Sequence, residues 1–270
     1  MIVAGCDVGS LSAEAVILND DKIVASEIIQ VRPRPEQSAR EVMDMALTSI
    51  QLTYDDIDYT VSTGYGRESI SFADHNISEI SCHGKGAHFL APGIRTIIDI
   101  GGQDCKVIRL DENGALEDFV MNDKCAAGTG RSLELMSKYL GVHFSELAAL
   151  AEKAGQTITI TNQCGIFSEL EIMHYLMEDK DPADIAAGIN EAMARRVKML
   201  VGRVGIKPEM TISGGVCKNS GVVKNLEAML GLRFIPLSED PQIVGALGAA
   251  VFAADRFKRL QKKKERSDPH

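Results

Sequence analysis

AGCDVGSLSAEAVIL (residues 4–18) and TIIDIGGQDCKVIRL (residues 96–110) are two versions of one pattern. Each reads as an apolar strand, an aspartate, an apolar residue, a glycine, a turn of small or polar residues and a second apolar strand. In register, Asp7 aligns with Asp99 and Gly9 with Gly101. Two such β-hairpins predict a duplicated α/β domain. Glycine beside aspartate in a hairpin turn has a chemical use. Glycine lets the backbone approach a phosphate and present N–H groups to it. A carboxylate at the strand end can hold Mg²⁺ through water next to those phosphates. The segments Asp7-Val8-Gly9-Ser10-Leu11-Ser12 and Asp99-Ile100-Gly101-Gly102-Gln103-Asp104 are therefore read as phosphate turns, with Asp7, Asp99 and Gln103 as catalytic candidates.

Moving outward, KIVASEIIQV (22–31) supplies a third strand after the turn signal Asn19-Asp20-Asp21. Residues 37–52 have helical spacing (Ala39, Val42, Met43, Ala46, Ile50), DYTVSTGYG (58–66) is a strand entering a glycine turn, and 82–91 reads as a short helix opened by Cys82. After the second hairpin the chain turns helix-rich, at 130–140, 145–154, 166–178 and 183–204. EMTISGG (209–215) is a strand ending in glycines, where Gly214, Gly215, Val216 and Asn219 could seat a nucleoside before a helix near 218–230. GALGAAVFAADRFKRL (245–260) is a closing helix with a tightly packed small-residue start, and the basic tail KKKERSDPH reads as its solvated end.

The chain has 270 residues, 45% hydrophobic, enough for one or two domains. Its formal charge is −9, aromatic content is 5% and there is no tryptophan, which argues against nucleic-acid binding. No apolar run predicts a membrane span, and the N-terminus lacks a secretion signal, so the chain is read as cytoplasmic. Its six cysteines are then thiols or metal ligands, not disulfides.

Cys125 stands ahead of AGTGRSLELM, where Gly128, Thr129 and Gly130 form another small-residue loop, and Cys164 stands ahead of GIFSELEIM. Each lies near a predicted helix N-terminus, where a thiolate is favoured. Spacing alone leaves two readings: ordinary buried cysteines, or ligands of a [4Fe–4S] cluster. One chain supplies only two such thiols and a cluster wants four, so the second reading needs a twofold dimer. Cys6 and Cys105 read as core, Cys82-His83 as a pair too close in sequence to chelate one ion, and Cys217 as structural.

The succession of phosphate turn, connecting helix, second phosphate turn, adenosine motif and second connector (GALGAA, 245–250) resembles the two-domain actin-like ATPases, the superfamily of sugar kinases, acetate kinase, actin and heat-shock-cognate ATPases. That resemblance implies two ribonuclease H-like domains with nucleotide in their cleft: residues 1–92 plus the helix 244–262, and residues 93–243. Within it, TGYGR (63–67), ISEISCH (77–83), TIIDIGGQD (96–104), NDKCAAGTGR (122–131), FSELEI (167–172) and GALGAA resemble the ATP-dependent activators of 2-hydroxyacyl-CoA dehydratases, a family that includes ATPase subunits of benzoyl-CoA reductase. The resemblance spans residues 2 to 255. It implies a homodimer in which Cys125 and Cys164 of both copies hold one [4Fe–4S] cluster. It further implies ATP/ADP with Mg²⁺ at each site, ferredoxin or flavodoxin as reductant, and one-electron transfer to an iron–sulfur dehydratase or reductase acting on an acyl-CoA. Which partner is served stays open between a dehydratase, a benzoyl-CoA reductase and a double-cubane-cluster reductase; a small-molecule kinase of the same superfamily is the distant alternative. The chain departs from the family in two places. Glu14 stands where many members carry lysine, which removes one phosphate contact. QCGIFSELEI replaces the usual surroundings of the second cysteine. Asp123 and Lys124 are read as capping or nucleotide-facing, Arg131 as structural or phosphate-facing, and Glu169, with Glu171, as acidic residues suited to a helix start, Glu169 being also a candidate nucleotide sensor.

Overall fold

The computed structural model describes residues 1–122, 128–161 and 165–267. The chain forms two compact units: Met1–Ile94 with Leu110–Leu116 and Leu237–His270, and Arg95–Arg109 with Glu117–Pro236.

In the first unit, β1 (Ile2–Val8), β2 (Ser12–Asn19) and β3 (Lys22–Gln30) form an antiparallel meander, while β4 (Tyr59–Thr63) and β5 (His75–Asn76) extend the sheet in parallel, giving the order β3-β2-β1-β4-β5. Helix α1 (Pro35–Ser49) crosses between β3 and β4. It covers one face: Ala39, Val42, Met43, Ala46 and Leu47 meet Ala4, Cys6, Val8, Ala15 and Ile17. Helices α2 (Glu79–Leu90) and α8 (Val244–Ser267) cover the other, where Cys82, Ala246, Leu247 and Ala250 meet Val3, Val16, Leu18 and Val61. Burial on both faces explains why β1 and β2 are nearly unbroken apolar runs.

Glycines set how closely α2, α8 and β1 approach. A Cβ on Gly5 would overlap Ala246 O, one on Gly86 would overlap Val244 O, and one on Gly248 would overlap Cys82 O. The small-residue start of α8 is therefore a packing seam. Helix α2 begins earlier than its sequence pattern predicts. Ser78 caps it, its Oγ accepting from Ser81 N at 3.3 Å, so Cys82 and His83 lie inside the helix and do not open it.

The second unit repeats the plan. β6 (Thr96–Ile100), β7 (Cys105–Leu110) and β8 (Leu116–Met121) form a meander and β9 (Met210–Ser213) runs parallel to β6, in the order β8-β7-β6-β9. The sequence patterning does not reveal β8: it is an edge strand with Leu116, Phe119 and Met121 exposed, so it lacks the apolar alternation of a buried strand. Helices α3 (Gly130–Tyr139), α4 (Leu147–Ala151), α5 (Gly165–Met177), α6 (Pro182–Val204) and α7 (Ser220–Leu230) complete the unit. Leu133, Met136, Ile172, Ile189, Met193 and Val197 pack on Ile98, Ile100 and Val107. Among the described residues, no helix is long and apolar enough to cross a membrane.

Candidate functional site

The two hairpin turns close in the same way. Gly9 N donates to Ser12 O at 2.9 Å, and Gly101 N donates to Asp104 O at 3.0 Å. Asp7 pairs across the antiparallel ladder with Glu14 and across the parallel ladder with Thr63; Asp99 pairs with Lys106 and Ser213 in the same two ways. Each parallel strand then ends in a glycine with positive φ, +85° at Gly64 and +89° at Gly214. A Cβ on Gly64 would overlap Asp7 Oδ1, and one on Gly214 would overlap Ile100 O and lie 2.9 Å from Asp99 Oδ1. Only glycine suits both the backbone angle and the space. Asp7 and Asp99 are buried behind turns that stay open: Gly9, Ser10, Leu11, Ser12, Gly101, Gly102 and Asp104 are half-buried and Gln103 is exposed.

The chemistry around the two carboxylates differs. Asp99 Oδ1 accepts from Ser213 Oγ at 3.0 Å, and its Oδ2 lies 3.4 Å from Lys106 Nζ, which also donates to Asp104 Oδ1 at 2.6 Å. In the first unit the position facing the aspartate is the buried Glu14, whose Oε1 accepts from Gln242 Nε2 at 3.0 Å. The same Nε2 lies 3.0 Å from Ser12 Oγ, so Gln242, just ahead of α8, holds both the turn and the glutamate.

The second turn is also joined to α3. Gly130 N donates to Gly101 O at 2.9 Å and Arg131 N donates to Gly102 O at 2.8 Å. The first N–H groups of a helix have no partner within it, and here two of them hold the second hairpin turn. Gly128 has φ +90°, Thr129 is the buried residue preceding α3, and a Cβ on Gly130 would stand 3.1 Å from Gly101 O. Gly214 and Gly215 lead into a 3-10 turn (Gly215–Lys218) with Val216 buried. The side chain of Asn219 caps α7, accepting from Gly221 N and Val222 N, and donates to Asn190 Oδ1. Its amide thus serves the scaffold of the 214–219 loop.

Asp123, Lys124, Cys125 and Cys164 lie outside the described residues. α5 begins at Gly165, directly after Cys164 in the chain. The start of α5 is tied to Thr161, whose N donates to Glu171 at 2.6 Å and whose O accepts from Ser168 Oγ at 2.8 Å. Glu169 is half-buried and the Arg131 side chain is exposed. Cys6, Cys82 and Cys105 are core residues, and Cys217 is half-buried against the second unit's core. Burial pushes the thiols of Cys6 and Cys105 well up and that of Cys82 up to about 12, keeping them protonated at neutral pH. Among the described residues, no group of three His, Cys, Asp or Glu side chains could hold a metal ion.

The profile of the BadF/BadG/BcrA/BcrD ATPase family matches residues 4–253. The chain belongs to this ATPase family. An activator of lactoyl-CoA dehydratase from Anaerotignum propionicum is 46% identical over 97% of this chain and 100% of its own. The solved activator of 2-hydroxyisocaproyl-CoA dehydratase from Clostridium difficile with bound ADPNP superimposes with a TM-score of 0.93, at 42% identity, covering 97% of this chain and 98% of that one. At the level of fold alone, a ROK family glucokinase from Streptomyces griseus matches with a TM-score of 0.56 at 14% identity, covering 94% of this chain and 100% of the glucokinase. The fold of this family member is the actin-like ATPase and sugar kinase fold that its sequence resemblance implies.

The sequence picks out the two aspartates and their glycine turns; it gives no role beside them to Lys106, Gly64 or Gln242, reads His83 only with Cys82, and takes Ser213 only as the lead into Gly214 and Gly215. The internal repeat held the signal for Lys106, because the register that aligns Asp7 with Asp99 also aligns Glu14 with Lys106. No local pattern marks His83 or Gln242, which reach the first turn from distant elements.

Proposed function

We propose that this chain is an ATP-dependent reductive activator: a homodimer that couples ATP hydrolysis to one-electron transfer toward a partner iron–sulfur enzyme of the 2-hydroxyacyl-CoA dehydratase type. The backbone N–H groups of the turns at Gly9–Ser12 and Gly101–Asp104 bind the ATP phosphates. Asp7 and Asp99 would hold a hydrated Mg²⁺, whose charge would supply stabilisation of the transferring phosphoryl group. Ser213 and Lys106 orient Asp99. The glycine loop at 214–215 takes the nucleoside.

The observation that carries the coupling is the bonding of α3 to Gly101 and Gly102. A turn that shifts when the γ-phosphate leaves pulls on the first turn of α3, and the segment just ahead of that turn carries Cys125. Thr161 ties the start of α5, which follows Cys164, to the segment before it. The ligand set fits the group: two thiols per chain, each ahead of a helix start, with the deeply buried thiols unsuited to ligation. When bound by Cys125 and Cys164 of two copies, a [4Fe–4S] cluster supplies low-potential one-electron transfer, which hydrolysis makes one-way. The outer face of α5 supports the dimer. Phe167, Leu170, Met173 and Met177 are exposed along one side, while Ser168 and Ile172 are buried on the other. Ferredoxin or flavodoxin is the expected reductant. The 46% identical relative is named as a dehydratase activator, which favours a dehydratase partner over a benzoyl-CoA-type or double-cubane-cluster reductase and over a kinase.

Anaerobic purification tests this reading. The expected product is brown, dimeric, and carries about four irons per dimer. Cys125→Ser or Cys164→Ser should lose the iron. Colourless wild-type protein that phosphorylates a sugar would contradict it.

A further inference from the structure

Asp7 sits in a slot built by three separate elements. On its Oδ1 side is Gly64, at the end of β4, where any Cβ would overlap the carboxylate. On its Oδ2 side is Gly245, in the first turn of α8, where a Cβ would again overlap the carboxylate and would lie 3.0 Å from His83 Nε2. His83, on α2, completes the slot: its Nε2 is 3.9 Å from Asp7 Oδ2, and both side chains are about nine-tenths buried, at 9% and 10% exposure. The neighbouring Cys82 does not join this group as a ligand, since burial keeps its thiol protonated.

Comparison of the two units gives the arrangement a purpose. Asp99 is steered by Ser213 on one oxygen and Lys106 on the other. The position matching Lys106 across from Asp7 is Glu14, a carboxylate, which cannot steer another carboxylate by attraction. The imidazole of His83 instead approaches Asp7 Oδ2 from α2, across the space where Gly245 carries no side chain.

We infer that His83 is a positioning residue for the ATPase site: Gly64, Gly245 and the His83 Nε2 edge together fix the side-chain orientation of Asp7 toward the hydrated magnesium of the bound nucleotide. The inference rests on the proposed ATPase reading and adds a residue to it. Misplacing a group by about 1 Å at a reacting centre costs roughly 10²-fold in rate, whereas binding contributed by the other turn, the nucleoside loop and the backbone persists. Replacing His83 should thus act on turnover more than on nucleotide affinity.

The test compares His83→Gln, His83→Asn and His83→Ala in the full chain, purified anaerobically, by steady-state Mg·ATP hydrolysis, thermal unfolding and iron content. Gln places its amide N–H near the Nε2 position; Asn does not reach it. The expected result is a kcat loss of roughly 10²-fold for Ala and Asn, with KM for Mg·ATP within about threefold of wild type. His83→Gln should recover kcat to within about tenfold of wild type, and iron content should match wild type in all three. Equal loss in Gln, Asn and Ala, a rise in KM at unchanged kcat, or wild-type turnover in His83→Ala would overturn the inference while leaving the ATPase reading intact. A wild-type protein that hydrolyses no ATP would overturn that reading, and this inference with it.

Discussion

Asp7 and Asp99 occupy equivalent strand ends yet have opposite neighbours, Glu14 and Lys106. That exchange sets what single substitutions should do. Lys106 has a side-chain exposure of 3% and lies against Asp99 and Asp104, so Lys106→Met would leave buried carboxylate charge poorly compensated. Breaking a buried ion pair from one side costs roughly 3–5 kcal/mol. The expected outcome is a marked fall in the denaturant midpoint together with lost ATPase activity. Asp99→Asn keeps the shape and can still accept from Ser213, so it should fold normally. Its loss of charge at the carboxylate proposed to hold the hydrated metal should cut the hydrolysis rate by roughly 10²- to 10³-fold, read by phosphate release. Gly245→Ala belongs beside these. Its Cβ would displace Asp7 Oδ2, so ATPase activity should fall far more than stability does.

At the level of elements, the seam between α2 and α8 depends on missing side chains. Gly248→Ala would drive a methyl group into Cys82 O, a backbone atom within a helix that can yield only by moving. Overpacking of this kind costs typically about 1–3 kcal/mol, and thermal unfolding should show it. The segment 155–161, which leads toward Cys164, hangs on Asp184 at the start of α6. Asp184 Oδ1 accepts from Gly155 N at 2.9 Å and from Gln156 N at 3.1 Å. The Gln156 backbone N–H holds this carboxyl below its usual range, with Gly155 adding to the effect. A depressed folded-state pKa gives stability that is present above the unfolded value, near about 4, and is lost as pH falls through the folded value. Asp184→Asn should accordingly lower the neutral plateau of a stability–pH curve and flatten its acid limb, so that the variant and the wild type converge at low pH. The elements themselves were legible where burial imposes a period. β1, β2, β6, α1 and α6 follow their apolar patterns, and the repeat exposed the duplication. β8 was not legible because an edge strand with exposed Phe119 and Met121 carries no such period. The start of α2 was misplaced because its signal is the single cap Ser78, four residues before its first buried residue, Cys82. Within the site, the aspartates and glycines carry a local motif, whereas His83, Ser213 and Gln242 reach it only through tertiary packing.

On the scale of the whole molecule, the account needs two copies. The apolar side of α5 is the surface to break. Leu170→Glu places a charge among Phe167, Met173 and Met177, and exposed positions tolerate such a change without unfolding. The expected outcome is monomer by light scattering, with iron lost in parallel. A dimer of unchanged iron content would move the interface elsewhere. The most direct test of the central claim is anaerobic single-turnover electron transfer from the reduced protein to a 2-hydroxyacyl-CoA dehydratase-type partner, followed by the partner's spectrum, with ATP against ADPNP. Transfer with ATP, its absence with ADPNP, and its loss in Cys125→Ser and Cys164→Ser are the predicted results. Equal transfer with ADPNP, or transfer by either serine variant, would contradict the account.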